Sequence, residues 1–170
     1  MIVTPRLKLV NLTTPIAEAM FKGDTAFANF LNVTIPVNWS EEKMAIETFY
    51  NETKSDPENF KWATYLIIHT ADKKLIGCGG FKGKPVDGIV EIGYEIHADY
   101  RGLGLATEAA KGLTEFAFSD SQVNIVLAHT LAEENASCKI LKKVGFAFVK
   151  QYNDPEDGEI WQWKINKKAG

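Results

Sequence analysis

Polar and apolar residues alternate from Arg6 through Leu7, Lys8 and Leu9 to Val10, which is the period of a half-buried strand. Thr13, Thr14 and Pro15 come next and predict a helix start, with Thr14 at the N-cap and Pro15 at the first helical position. Two short helices are predicted over residues 16–21 and 26–31. Ser40-Glu41-Glu42-Lys43 is similar to a capping box, with Ser40 as the cap and Lys43 in place of the usual acid. A helix through Met44, Ile46, Phe49 and Tyr50 should follow and end at Asp56-Pro57. Residues 62–69 are rich in aromatic and β-branched side chains and predict a strand. After a turn at Asp72-Lys73-Lys74, residues 75–81 form the return strand. Its Gly77, Gly79 and Gly80 suggest a bulge or a close neighbour. A second turn over 84–88 leads to a third strand over 89–96.

Beyond Leu105 the apolar spacing becomes helical, through Ala106, Ala109, Ala110, Leu113, Phe116 and Ala117. Residues 123–128 read as a buried strand. Residues 137–144 read as a helix with Ile140, Leu141 and Val144 on one face, stopped by Gly145. Closing strands are predicted over 146–149 and 160–165. There is no repeat, low-complexity segment or linker, so a single domain over 1–170 of mixed α/β (α+β) class is expected.

The 170 residues suffice for a hydrophobic core without covalent staples. A net charge of -3 gives no sign of a nucleic-acid partner. Cys78 and Cys138 stand too far apart in sequence for a zinc pair or a redox dithiol. The three histidines lack ligand spacing, so no metal is expected. No leader pattern is visible, and no run approaches the ~20 apolar residues that span a bilayer, so no membrane partner and a cytoplasmic location are expected.

The strongest chemical signal lies at Tyr100-Arg101-Gly102-Leu103-Gly104-Leu105-Ala106-Thr107. Here a strand ends and a glycine-rich turn opens a helix. A helix N-terminus offers unpaired N–H groups and the positive end of the macrodipole, which together favour phosphate. Gly102 and Gly104 let backbone approach an anion, and Arg101 adds a forked cation. The bland alternative is a tight turn with no ligand. A dinucleotide fingerprint fails because Thr107 stands at the third glycine and the motif follows several strands.

Arg101-x-x-Gly104-x-Ala106 resembles the R/Q-x-x-G-x-G/A signature of the GNAT superfamily of N-acetyltransferases. Thr4-Pro5-Arg6-Leu7, Glu91-Ile92-Gly93-Tyr94, Ala106-Thr107-Glu108-Ala109 and Asn135-Ala136-Ser137, with Leu141, Lys143, Gly145 and Phe146, are similar to the RimJ/RimL (ribosomal-protein N-acetyltransferase) branch. The resemblance runs over nearly the whole chain. It implies the GNAT acyl-CoA N-acyltransferase fold, a central mixed sheet with splayed strands and flanking helices. It also implies acetyl-CoA as cosubstrate, lying between the strands at 89–96 and 123–128. Backbone of Arg101, Gly102, Leu103, Gly104, Leu105, Ala106 and Thr107 would hold the pyrophosphate. Backbone of Glu95, Ile96 and His97 would hold the pantetheine arm, with one N–H polarising the thioester carbonyl. Asn135 and Ser137 would reach the cofactor from the next helix. The partner would be an amine acceptor, a protein N-terminus or a small molecule, and the protein a monomer or homodimer.

The reaction needs a neutral amine, a group to take its proton and an acid for the leaving thiolate. By the resemblance Glu91 is the first candidate base. Period-two alternation sets it on one strand face with Gly93 and Glu95, so Glu95 is a second. Ser137 is the acid candidate, and Trp39 is expected in the acceptor pocket. Each has a plainer reading: solvated carboxylates, a helix cap and a core aromatic. His97 as a side chain reads as a solvated loop residue, and His69 and His129 as structural. A cofactor-binding module without turnover, or a scaffold subunit, remains an alternative function.

Overall fold

The computed structural model describes all residues, Met1–Gly170. Its strands are β1 (Ile2–Val3), β2 (Leu7–Asn11), β3 (Thr64–His69), β4 (Lys74–Phe81), β5 (Ile89–Ile96), β6 (Ile125–Leu131), β7 (Ala147–Asp154) and β8 (Gly158–Asn166). The helices are α1 (Thr14–Phe21), α2 (Asp24–Leu31), α3 (Lys43–Thr53), α4 (Leu105–Ser119) and α5 (Ala136–Val144). The strands form one sheet in the order β1-β2-β3-β4-β5-β6-β8-β7. All its pairs are antiparallel except β5 with β6. This is the expected α/β fold with a mixed sheet. No helix is long and apolar enough to cross a membrane.

Each face of the sheet carries its own core. Leu7, Leu9, Ile67, Ile76, Val90, Ile92 and Ile96 pack with α4 and α5 through Leu105, Ala109, Leu113 and Leu141. Leu66, Ile68, Leu75 and Cys78 pack on the other face with Ile16, Met20, Phe27 and Ile46 of α1–α3. Because both faces are covered, β3 reads as an unbroken apolar run rather than an alternating one.

The glycines of β4 do what their sequence suggested. Ile67 pairs with Gly77 and Ile68 with Leu75, so Ile76 is the extra residue of a bulge. Ile76 faces α4, yet Cys78 two residues on faces α1–α3, so the bulge resets the pleat. Cys78 is the register partner of Glu95 and brings that carboxylate to the same face. Gly80 has φ +139, and a Cβ there would stand 2.1 Å from the Ala63 carbonyl oxygen.

Several local expectations shift. α1 is capped by Thr13 rather than Thr14. Residues 57–62 form a 3-10 turn with Pro57 in its first positions, so Trp62 precedes the strand instead of opening it. Asp56 caps that turn by accepting from the Glu58 N–H. Ser40 does not cap α3, whose N-cap is Glu42 without a side-chain bond. A full carboxylate, Glu95, takes the Ser40 hydroxyl instead at 2.8 Å, and a charged acceptor outcompetes a neutral amide. The hairpin β7–β8 is longer than expected, closed by Asp154 accepting from the Glu156 and Asp157 N–H groups. Gly145 ends α5 as predicted.

Substituting Gly80→Ala should lower unfolding free energy by more than about 2 kcal/mol, since the backbone conformation and the Ala63 carbonyl both oppose a Cβ. Gly93→Ala on the neighbouring strand meets only the far end of Lys82 and should change stability by less than about 0.5 kcal/mol. Denaturant unfolding of both variants checks the contrast.

Candidate active site

β5 and β6 pair only at Ile89–Ile125, Val90–Val126 and Glu91–Leu127. Beyond that point β5 stays on β4, and β6 stays on β8 as far as Leu131–Ile160. The two strands therefore part, and the backbone edges facing the gap have no strand partner. Which groups face it follows from the ladder. The Lys82 N–H donates to the Glu91 carbonyl, and the His97 N–H donates to the Ile76 carbonyl at 2.7 Å. Odd-numbered residues of β5 thus turn their amides toward β4, and even-numbered ones toward the gap. This corrects the expected backbone contacts. His97 and Glu95 spend their amides on β4, while Tyr94 and Ile96 present theirs to the opening. The Ile96 carbonyl is engaged by Arg101 Nε at 2.9 Å, which leaves its N–H.

The chain leaves β5 through a 3-10 turn, Ala98–Tyr100, and enters the glycine turn. The first helical bond of α4 runs from the Glu108 N–H to the Gly104 carbonyl. The N–H groups of residues 102–107 make no hydrogen bond within the protein. Gly104 has φ +76, which gathers these amides on one side of the turn. Leu105 is buried and anchors the helix start, while Gly102, Leu103 and Gly104 are exposed. Arg101 folds back onto β5, so it ties the turn to the strand end while keeping its charge nearby. The His97 side chain accepts from the Asp99 N–H and shapes the same loop.

Glu91 and Glu95 do share one face of β5, opposite Val90, Ile92 and Ile96. Glu91 Oε1 lies 2.8 Å from both Lys82 Nζ and His129 Nδ1. His129 Nε2 lies 3.0 Å from the Tyr152 hydroxyl and 3.2 Å from Gln162 Nε2. Burial pushes the Glu91 pKa up, but His129 and Lys82 outweigh it and hold the carboxyl below its ordinary value. Glu95 accepts from the Ser40 hydroxyl and from the Glu41 N–H, each at 2.8 Å. Burial pushes the adjacent Cys78 thiol up to about 12, so it stays protonated.

The remaining expected residues fall as follows. Asn135 caps α5, its side-chain oxygen accepting from the Cys138 N–H at 3.1 Å. Ser137 is the second residue of α5, half-buried, and its hydroxyl makes no bond within the protein. Trp39 is buried against Phe27, and its indole N–H has no partner. Its segment reaches β5 through Ser40 and Glu41 instead of through the indole. Sequence reasoning missed Ser40, Lys82, His129 and Tyr152 as neighbours of the two carboxylates. Only the topology joins them, and no local motif marks them.

The profile of the acetyltransferase (GNAT) domain family matches residues 6–147. Among curated proteins, the N-acetyltransferase YjdG of Bacillus subtilis (strain 168) is 27% identical over 146 residues, covering 84% of this chain and 87% of its own length. Among solved structures, the Salmonella typhimurium acetyltransferase that modifies the N-terminal serine of a 50S ribosomal subunit protein superposes with TM-score 0.65 at 12% identity, covering 97% of each chain. A variant of the spermidine N-acetyltransferase SpeG from Vibrio cholerae gives TM-score 0.67 at 16% identity over 96% of this chain and 95% of its own. These two likenesses concern the fold, and it is the sequence profile, over most of the chain, that shows the family. The chain belongs to the GNAT acetyltransferase family and is an acetyl-CoA-dependent N-acetyltransferase.

Proposed function

We propose that this protein moves an acetyl group from acetyl-CoA to a primary amine by direct attack, with the donor in the gap between β5 and β6. The observation that carries this reading is the run of unpartnered amides at 102–107, placed where the two parallel strands part. The residues fit the donor. The amides of Gly102, Leu103, Gly104, Leu105, Ala106 and Thr107 form a nest for a pyrophosphate at a helix N-terminus. The even-numbered amides of β5 offer strand-like bonds to an extended pantetheine arm. Acetyl-CoA supplies the thioester whose carbonyl carbon the amine attacks.

The chain's own groups cover the remaining needs. The Tyr94 or Ile96 N–H would donate to the carbonyl oxygen as it gains charge. Glu91 is a carboxylate at neutral pH and can accept a hydrogen bond from the incoming amine. His129 behind it can share the proton, and Tyr152 and Gln162 set the ring's orientation. Glu95 has both oxygens engaged, so we assign it to holding the Ser40–Glu41 segment at the site rather than to proton transfer. The free hydroxyl of Ser137 would donate to the departing sulfur. Two carboxylates on the open face of β5 favour an acceptor that arrives as a cation. A protein N-terminus, as in the RimJ/RimL branch, and a small-molecule amine both meet that description.

Calorimetry with acetyl-CoA should show binding that Gly104→Glu weakens more than about 100-fold, roughly 2.7 kcal/mol, by placing a carboxylate where the phosphates belong. No binding to the unsubstituted protein would leave a scaffold role as the better account. Glu91→Gln should slow CoA release, measured with a panel of amines, by about 100-fold or more. An unchanged rate would remove Glu91 from proton transfer. The same variant tests the ion pair. The folded Glu91 pKa is depressed, so its contribution to stability is present above about pH 4.3 and is lost as pH falls through the folded value. The difference in Tm between the two proteins should therefore close as the pH is lowered below 4.

A further inference from the structure

Arg6 stands at the opposite end of the sequence from the glycine turn, yet it is bonded to it. Its Nε lies 2.7 Å from Glu108 Oε2, and its Nη1 donates to the Leu103 carbonyl at 2.9 Å. The Arg6 backbone N–H and the Thr4 hydroxyl both donate to Glu108 Oε1, at 2.7 and 2.6 Å. Glu108 is in the first turn of α4, so these bonds fasten the start of β2 to the helix that the glycine turn opens. The third guanidinium nitrogen, Nη2, makes no bond within the protein and lies 3.6 Å from where a Cβ on Gly104 would stand. The Arg6 side chain is 47% exposed and that of Glu108 only 13%. The pair therefore turns its cationic end outward, toward the side of the turn where the amides are free.

We propose that Arg6 is a residue of the acetyl-CoA site. It sets the shape of the turn through the Leu103 carbonyl and presents Nη2 to the pyrophosphate. This rests on the donor lying at the 102–107 turn, as proposed above. The geometry assigns Arg6 two tasks at once. Bonding the Leu103 carbonyl fixes that peptide, and with it the direction of the next N–H. The free nitrogen adds positive charge beside amides that carry only partial charge. Arg101 cannot do the first task, because its Nε is committed to the Ile96 carbonyl. A lysine at position 6 would keep the charge but could not bond Glu108 and the Leu103 carbonyl together while leaving a donor free.

The test is calorimetric, with CoA and dephospho-CoA as probes, on the unsubstituted protein, Arg6→Gln and Arg6→Lys. Arg6→Gln should weaken both probes about tenfold, equal to ~1.4 kcal/mol, and should flatten the dependence of affinity on salt. Arg6→Lys should restore the salt dependence and only part of the affinity. Equal affinity of Arg6→Gln and the unsubstituted protein overturns the proposal. So does a loss seen with CoA but not with dephospho-CoA, which would move the contact to the 3′-phosphate. A loss with unchanged salt dependence leaves only a structural role and also overturns it. Failure of the unsubstituted protein to bind CoA instead strikes the reading of the turn itself. A second measurement needs no variant. Phenylglyoxal should label Arg6 in the unsubstituted protein, mapped by peptide mass, and saturating CoA should block that labelling. Labelling that persists with CoA bound overturns the proposal.

Discussion

The parting of β5 from β6 is the constraint on which the rest of the structure depends. A parallel pair normally continues until one strand ends, because each lost bond leaves two polar groups without a partner. Here each strand has a better-held neighbour on its other side. β5 is bonded to β4 as far as Ile96, and β6 to β8 along its whole length. Trp163 strengthens that second hold, since its indole donates to the Thr130 hydroxyl at 3.0 Å inside the core. Right-handed twist then carries the two halves of the sheet apart past Glu91 and Leu127. The amides left open along β5 are tolerable only where water or a ligand reaches them, so the gap has to be a site and not a core.

The pleat of β5 then sorts the chemistry. Residues with odd numbers bond to β4 through their backbone and send their side chains, Glu91 and Glu95, toward the α1–α3 side. Residues with even numbers face the gap with their backbone and bury Val90, Ile92 and Ile96 against α4. One strand thus supplies neutral donors along its edge and carboxylates on one face, with no residue asked to do both. The cations lie elsewhere, on Arg6 and Arg101 at the glycine turn. Phosphate charge is drawn to one end of the gap and amine charge to the flank, and this polarity orients the two substrates oppositely before any specific contact forms.

How much of this was legible follows from the range of each interaction. The glycine turn was readable because its parts are contiguous: Arg101, Gly102 and Gly104 act within one helix start. The shared face of Glu91 and Glu95 was readable because alternation is local. The bulge in β4 was flagged by Gly77 and Gly80, though nothing local said that Cys78 would change face. Ser40 was misread because capping rules see only its own neighbours, whereas Glu95 lies on another element. His129 was read as structural because a histidine in a strand carries no sign of what stands across the sheet. The backbone contacts assigned to Glu95 and His97 were off by one position. Sequence gives the period of a strand but not which of its two edges each amide faces, and that parity is set by the pairing with β4.

The contrast between Glu91 and Glu95 shows how environment divides labour between like groups. Glu91 is bonded to Lys82 and His129, each a partner that can hold or relay a positive charge. A proton arriving there adds to a network with an onward route, through an imidazole whose far nitrogen faces Tyr152 and Gln162. Glu95 is bonded to a hydroxyl and a backbone N–H, and neither can accept a proton from it. Protonating Glu95 would break the two bonds that hold residues 40 and 41 against the sheet. The same carboxyl chemistry, two positions apart on one face, is therefore suited to proton handling in the first case and to fixing a loop in the second. The difference lies wholly in which elements the topology brings against each side chain.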